Sequence, residues 1–268
     1  MRQWRLIYDS PTAGIYNMAI DEAVLRAGSA IPTLRLYAWT PPCLSLGYAQ
    51  PAADVDRERL RQRGWDLVRR PTGGRAILHI DELTYSLTLP EDHPVAQGGI
   101  IASYRRISHA LLAALSQLGV SSQADQRAES GGTHSGPVCF ETPSHYEVTA
   151  GGKKLIGSAQ MRRQGMVLQH GSLPLFGDIA RICDVLAYDD EAARGAGRQQ
   201  VRARATTLAE ALPGSQLAWA QVAEAVVTGF MQVFDVTFNV VPLSAVEAAA
   251  ASDLAQRVYG SPDWTYKR

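Results

Sequence analysis

Leu83-Thr84-Tyr85-Ser86-Leu87-Thr88-Leu89-Pro90 alternates apolar and hydroxyl-bearing side chains until proline ends the run. Successive side chains of a strand point to opposite faces, so the stretch predicts a strand with one apolar and one polar face. Downstream, Tyr104, Ile107, Leu111, Leu115 and Leu118 recur at helical spacing and stop at Gly119, which predicts a long amphipathic helix packed on that sheet. Upstream, Leu34, Leu36 and Ala38 alternate with Arg35, Tyr37 and Trp39 as far as Thr40-Pro41-Pro42, a second strand stopped by prolines. A short strand follows over Leu44 to Leu46, then a charged helix from Val55 to Arg63 with Gly64 as its C-cap, then a strand from Asp66 to Arg69. Asn17 is expected to cap a first helix, placing Asp21 and Glu22 near its positive end.

Toward the C-terminus, Ser121 to Gly136 is polar, rich in Gly and Ser, without a period, and reads as a loop. Tyr146 to Thr149 and Lys154 to Ala159 flank Ala150-Gly151-Gly152 as a hairpin, and Met166 to Leu168 follows the Gln164-Gly165 turn as a third, antiparallel strand. Asp189 to Arg204 reads as a weakly structured charged stretch. Val222, Val226, Phe230 and Val233 mark a helix, Val236 to Val240 a strand, and Ser244-Ala245-Val246-Glu247 a capping box. Strands and helices that come in clusters predict an α+β fold, a mixed, mostly antiparallel sheet flanked by helices, with residues 1–268 as a single domain.

The 268 residues are 46% apolar and 19% charged, which excludes collagen-like, coiled-coil and globally disordered chains. Lys plus Arg and Asp plus Glu both total 26, so no net field favours nucleic acid or an anionic membrane. Cys43, Cys139 and Cys183 are widely separated without a CxxC pair, which points away from a disulfide framework or zinc knuckle. The N-terminal MRQWRLIYDS lacks an apolar signal core, and the expected location is the cytoplasm.

The loop Arg69-Arg70-Pro71-Thr72-Gly73-Gly74-Arg75 carries paired glycines that let a ligand approach the backbone, although alone it reads as a tight turn with solvated charges. No P-loop or GxGxxG pattern accompanies it. Cys139 lies where the polar loop passes into a strand, and a thiol there becomes a ready nucleophile near neutrality only beside a cation, helix N-terminus or base. Lys154 is the nearest candidate cation across the predicted hairpin, while Lys153 beside it would point to the other face. His79, His134, His145 and His170 are candidate bases, none with an HxxxH metal partner. Cys43 and Cys183 read as core. The arginines at 57, 59, 61 and 63, interleaved with Asp56 and Glu58, read as a solvated helix face.

Four stretches in one order resemble the lipoate-protein ligase A family over nearly the whole chain: Arg69 to His79 (RRPTGGRAILH), Glu82 to Ser86 (ELTYS), Gly152 to Gln160 (GKKLIGSAQ) and Gln169 to Ser172 (QHGS). The resemblance implies a biotin/lipoate ligase-type catalytic domain, its core roughly residues 30–242. The run Cys139 to Glu147 (CFETPSHYE) is similar to the octanoyltransferase branch, LipM, in which a cysteine at that position forms an acyl thioester and the lysine matching Lys154 lowers its pKa. Arg75 stands where ATP-dependent ligases of the family usually carry a third glycine, and the 268 residues are expected to leave no room for the added C-terminal domain that those ligases often have.

The resemblance therefore implies octanoyl transfer from octanoyl-acyl carrier protein through Cys139 to a lysine of a lipoyl-domain protein, the glycine cleavage H protein or a dehydrogenase E2, with neither metal nor nucleotide cofactor. It also implies an acyl site lined by Arg70, Thr72, Gly73, Gly74 and His79, with Gly157, Ser158 and Ala159 alongside Lys154. Backbone amides near Gly73-Gly74 or Gly157-Ser158 are candidate oxyanion donors. An ATP-dependent lipoate ligase, a lipoyl-domain amidotransferase and a non-catalytic lipoyl-domain binder are the alternatives.

Overall fold

In the computed structural model, residues 2–125 and 147–267 are described. The predicted central strand is β6 (Glu82–Pro90), ended by its proline. It lies inside an eight-stranded sheet built with β1 (Arg2–Tyr8), β2 (Thr33–Tyr37), β7 (Ser122–Asp125), β8 (Glu147–Ala150), β9 (Lys153–Arg163), β10 (Met166–Pro174) and β11 (Val236–Val240). The order is β11-β1-β2-β6-β10-β9-β8-β7. The β11-β1-β2 end pairs in parallel, and every pairing from β2 to β7 is antiparallel, so the sheet is mixed and mostly antiparallel as expected. Both predicted turns have positive φ at both central residues, Gly151 and Gly152 in one, Gln164 and Gly165 in the other, as tight hairpins require.

On one side of the sheet lie α3 (Gly99–Gln117) and α6 (Trp219–Phe234). Ile107, Leu111, Leu115, Val226 and Phe230 from these helices share one buried cluster with Leu83, Tyr85, Leu87 and Leu89. On the other side lies α1 (Gly14–Ala27), covered in turn by α7 (Ala245–Leu254), whose capping box joins Ser244 and Glu247. A three-stranded sheet of β3 (Cys43–Leu46), β4 (Asp66–Arg69) and β5 (Ile77–His79) has its own core, where Leu44 and Leu46 meet Ile182 and Cys183 of a 3₁₀ segment, Ile179–Val185. No described helix is long and apolar enough to cross a membrane.

Four expectations change. Asn17 does not cap α1: the helix begins at Gly14, where an added Cβ would lie 2.5 Å from Cys43 Sγ, and Asn17 is buried one turn in. Its amide donates to the carbonyls of Thr12 and Ala38, and its Oδ1 accepts from Arg35. Within the loop expected over residues 121–136, Ser122–Asp125 forms β7, paired with β8; residues 126–136 lie outside the described residues. The charged stretch read as weakly structured contains a regular helix, α4 (Glu191–Arg204), N-capped by Asp190 and followed by the short α5 (Leu208–Ala211). It lacks a simple apolar stripe because arginines dock it: Arg194 donates to the carbonyls of Cys183 and Leu186, and Arg198 pairs with Asp184. The charged helix is shorter than expected, α2 (Arg57–Gln62), with Asp56 as its N-cap and the arginine face solvated as read.

Candidate active site

The polar face of β6 turns toward α1 and the loop that follows β4. Register places Ser86 between Arg35 of β2 and His170 of β10, and Thr84 between Tyr37 and Ser172. Thr84, Ser86, His170 and Ser172 are all buried, and buried hydroxyls and imidazoles need partners. Two carboxylates supply them.

Glu82, buried at the start of β6, accepts from Thr84 Oγ1 and Ser172 Oγ, and its Oε1 lies 2.8 Å from His79 Nδ1. His79 Nε2 is 2.8 Å from Ser45 Oγ, which also accepts from Arg70 Nη1 at 3.1 Å. The tautomer protonated at Nδ1 satisfies all these bonds, with His79 donating to Glu82 and accepting from Ser45. Trp39 fixes the plane of the ring by stacking on it at 3.8 Å between centroids, and its indole N–H donates to Thr84 Oγ1 at 2.7 Å.

Asp21 of α1 accepts from Arg35 Nη1, Tyr37 Oη and Ser86 Oγ, each at 2.8 Å, and lies 3.2 Å from His170 Nδ1. His170 Nε2 is 2.7 Å from Thr72 Oγ1, so this imidazole too stands between a carboxylate and a hydroxyl. Burial opposes the charge on Asp21, but Arg35, His170 and Ser86 outweigh it and hold the carboxyl below its usual range. Burial, joined by Arg70 and His79, pushes His170 down against the pull of Asp21, which keeps the imidazole neutral near pH 7.

Between the two imidazoles runs a narrow slot of about 20 Å³, lined by Trp39, Arg70, His79, Gly157, Ala159 and His170 among others. Gly171 is obligatory beside it: a Cβ there would lie 2.4 Å from Ser158 Oγ and 2.6 Å from the Tyr85 ring. The loop's second glycine, Gly74, has φ 92°, and its carbonyl comes so close to Gly47 that a Cβ on Gly47 would overlap it at 1.9 Å. The loop is not a turn with solvated charges, because its two leading arginines are buried. Arg69 donates to the carbonyls of Gly47, Gln50 and Thr265, and Arg70 to those of Ser45, Gly73 and Arg75. The backbone is held open by guanidinium braces.

Of the residues expected at the acyl site, Arg70, His79, Gly157 and Ala159 border the slot, and Thr72 stands behind it against His170. Ser158 is on the opposite face of β9, its Oγ 2.8 Å from Tyr85 Oη in a buried chain that continues through Gln169 and Gln160 to Ser103. Lys154 is buried near the start of β9, its Nζ 2.6 Å from Glu147 Oε1, and its backbone carbonyl accepts from Thr206 N–H. Lys153 is half-buried on the neighbouring position. Cys139, His134 and His145 lie outside the described residues; Cys43 and Cys183 are fully buried.

Sequence reasoning missed Trp39, Ser45, Glu82 and Asp21 as parts of the site. The signal that could have found them is the hydroxyl face of the central strand, since a buried row of Thr and Ser inside a sheet demands acceptors opposite. Among the described residues, no group of three or more His, Cys, Asp or Glu side chains is placed to hold a metal ion.

Residues 14–231 match the family described as lipoyl protein ligase A/B catalytic domain. The chain is 40% identical to octanoyltransferase LipM of Kyrpidia tusciae, with all of both chains aligned. It is 42% identical to octanoyltransferase LipM of Moorella thermoacetica, covering 99% of this chain and 98% of that one. The fold is shared with a bi-partite lipoate protein ligase from Thermoplasma acidophilum, at a TM-score of 0.84 and 23% identity over 99% of this chain and 97% of that one. The chain belongs to the lipoyl protein ligase A/B catalytic domain family, in its octanoyltransferase branch, and is an acyltransferase.

Proposed function

We propose that this enzyme moves an octanoyl group from octanoyl-acyl carrier protein, by way of a thioester on Cys139, to a lysine of a lipoyl-domain protein such as the glycine cleavage H protein. The observation that carries this reading is the full-length identity to relatives named octanoyltransferase LipM. The T. acidophilum structure, described as a lipoylation system with an E2 lipoyl domain, supports a lipoyl-domain acceptor. The motif around Cys139 supports that residue as the acyl carrier.

In the first half-reaction the Cys139 thiolate adds to the carbonyl of the donor thioester. The tetrahedral oxyanion collapses, the bond to the phosphopantetheine sulfur breaks, and the carrier leaves as its thiolate. In the second, the neutral ε-amine of the acceptor lysine adds to the enzyme thioester. The new C–N bond loses the amine proton, the C–S bond breaks, and Cys139 is restored. Thioester exchange is nearly balanced and amide formation runs downhill, so the sequence requires no nucleotide. Lys154 serves in this reading as the cation that favours the thiolate, and backbone amides at Gly73-Gly74 or Gly157-Ser158 as oxyanion donors. The acyl site in this reading comprises Arg70, Thr72, Gly73, Gly74, His79, Gly157 and Ala159, with Ser158 contributing backbone alone because its side chain turns to the other face of β9, within a catalytic domain spanning the chain.

The test is incubation with octanoyl-acyl carrier protein in the absence of nucleotide, followed by intact mass measurement. The expected result is one octanoyl group removed by hydroxylamine and missing in Cys139→Ala. Acylation retained in Cys139→Ala, or seen only with ATP, overturns the reading.

A further inference from the structure

A second and larger concavity, of about 650 Å³, lies away from the slot, where β1 and β11 meet α3 and α6. Its volume is within the range of about 300–1,000 Å³ usual for small-molecule sites. Its floor is apolar: Trp4, Val95 and Val236 are buried there, and Phe234 is stacked on the Trp4 ring at 5.3 Å. Its rim is basic, formed by Arg2, His93, Arg106 and His109.

Arg106 and His109, three residues apart, share one face of α3. Arg106 is held in place because its Nη1 donates to the carbonyls of Val95 and Gln97, at 3.2 and 2.5 Å. Neither Arg2 nor Arg106 forms an ion pair with a carboxylate among the described residues, whereas many of the other arginines do. His93 packs edge-on against Trp4 at 5.6 Å, and burial and the Arg2 charge lower its pKa against the pull of neighbouring Asp92. Two guanidiniums and two imidazoles thus face one aromatic-floored hollow in a chain whose overall charge is zero.

We propose that this hollow is a second binding site, for a small carboxylate with an apolar medium-length tail, its head held by Arg2 and Arg106 and its tail laid on Val233 and Phe234. The planar carboxylate matches the fork of a guanidinium, and the tail replaces water on the exposed Val233 and half-buried Phe234 side chains. A bare phosphate would satisfy the rim and leave the floor uncovered. A cationic amphiphile would cover the floor and be repelled at the rim.

The experiment titrates the full chain with octanoate and follows the ring protons of His93 and His109 by NMR, assigned through His93→Gln and His109→Gln. Because octanoate could also enter the slot, the His79 and His170 rings serve as separate reporters. The expected result is saturable shifts of His93 and His109, weakened at least tenfold in the Arg2→Gln/Arg106→Gln double variant. Val233→Trp, which fills the hollow and leaves the Arg106 braces intact, should weaken them similarly. Shifts confined to His79 and His170, equal binding of octylamine or inorganic phosphate, or unchanged affinity in both variants would overturn the proposal.

Discussion

The two faces of β6 carry the same chain through opposite environments. Toward α3 and α6, Leu83, Leu87 and Leu89 are buried among aliphatic and aromatic side chains. Toward α1 and the loop 70–75, Thr84 and Ser86, equally buried, are committed to Glu82, Trp39 and Asp21. Apolar burial stabilises by roughly 25 cal/mol per Å² and needs no particular angle, whereas a buried polar network returns little net energy and fixes directions closely. One face holds the sheet together; the other orients two imidazoles around a slot. Substitutions on the first should therefore change stability alone, and those on the second should change catalysis as well.

The largest expected effect is that of Asp21→Ala. It removes the acceptor of four donors and leaves Arg35 buried with only Asp9 as a carboxylate partner among the described residues, which should cost about 3–5 kcal/mol by urea unfolding. Octanoyl transfer by the protein that still folds should fall at least tenfold, because His170 loses its orienting carboxylate. Next, Leu87→Ala should cost about 2–5 kcal/mol as a cavity substitution while the folded fraction transfers at the wild-type rate. A rate loss in Leu87→Ala matching that of Asp21→Ala would erase the distinction between the faces.

Ser45→Ala is gentler, removing one donor to His79 at a cost of about 1–2 kcal/mol. It sharpens the comparison if the transfer rate still drops several-fold, and breaks it if only stability changes. The smallest effect is a slope. His170 and Asp21 both have folded-state pKa values below their ordinary ones, so each contributes stability that is present above its ordinary value and lost as pH falls. Unfolding free energy should therefore begin to decline below about pH 6.5, with Asp21 contributing only in more acid solution. His170→Gln should remove the upper part of that decline. An unchanged slope in the variant would mean that this imidazole is not held neutral by the fold.

Much of the architecture could be read from periodicity, because alternation along β6 and helical spacing along α3 are each enforced by a single packed face. The hairpin glycines were equally legible, since positive φ at a tight turn restricts the residue. The helix α4 was not, because its docking uses arginine side chains bonded to distant carbonyls, and such pairs leave no period in the sequence. Asn17 misled for a related reason: the residue type suits a cap, but its amide is spent joining Thr12, Ala38 and Arg35. At the site, Arg70 and His79 could be named from the motif around them. Their partners could not, because Ser45, Glu82 and Asp21 converge only when β3, β6 and α1 are brought together.

The central claim is that the acyl group travels through the enzyme rather than past it. The most direct measurement isolates the octanoylated enzyme, adds a lipoyl-domain protein without nucleotide, and follows both masses through a single turnover. Loss of the octanoyl group from the enzyme and its gain by the acceptor at one rate, with neither event in Cys139→Ala, is the predicted result. An acceptor octanoylated while the enzyme keeps its own acyl group, or modified at the wild-type rate by Cys139→Ala, would contradict it.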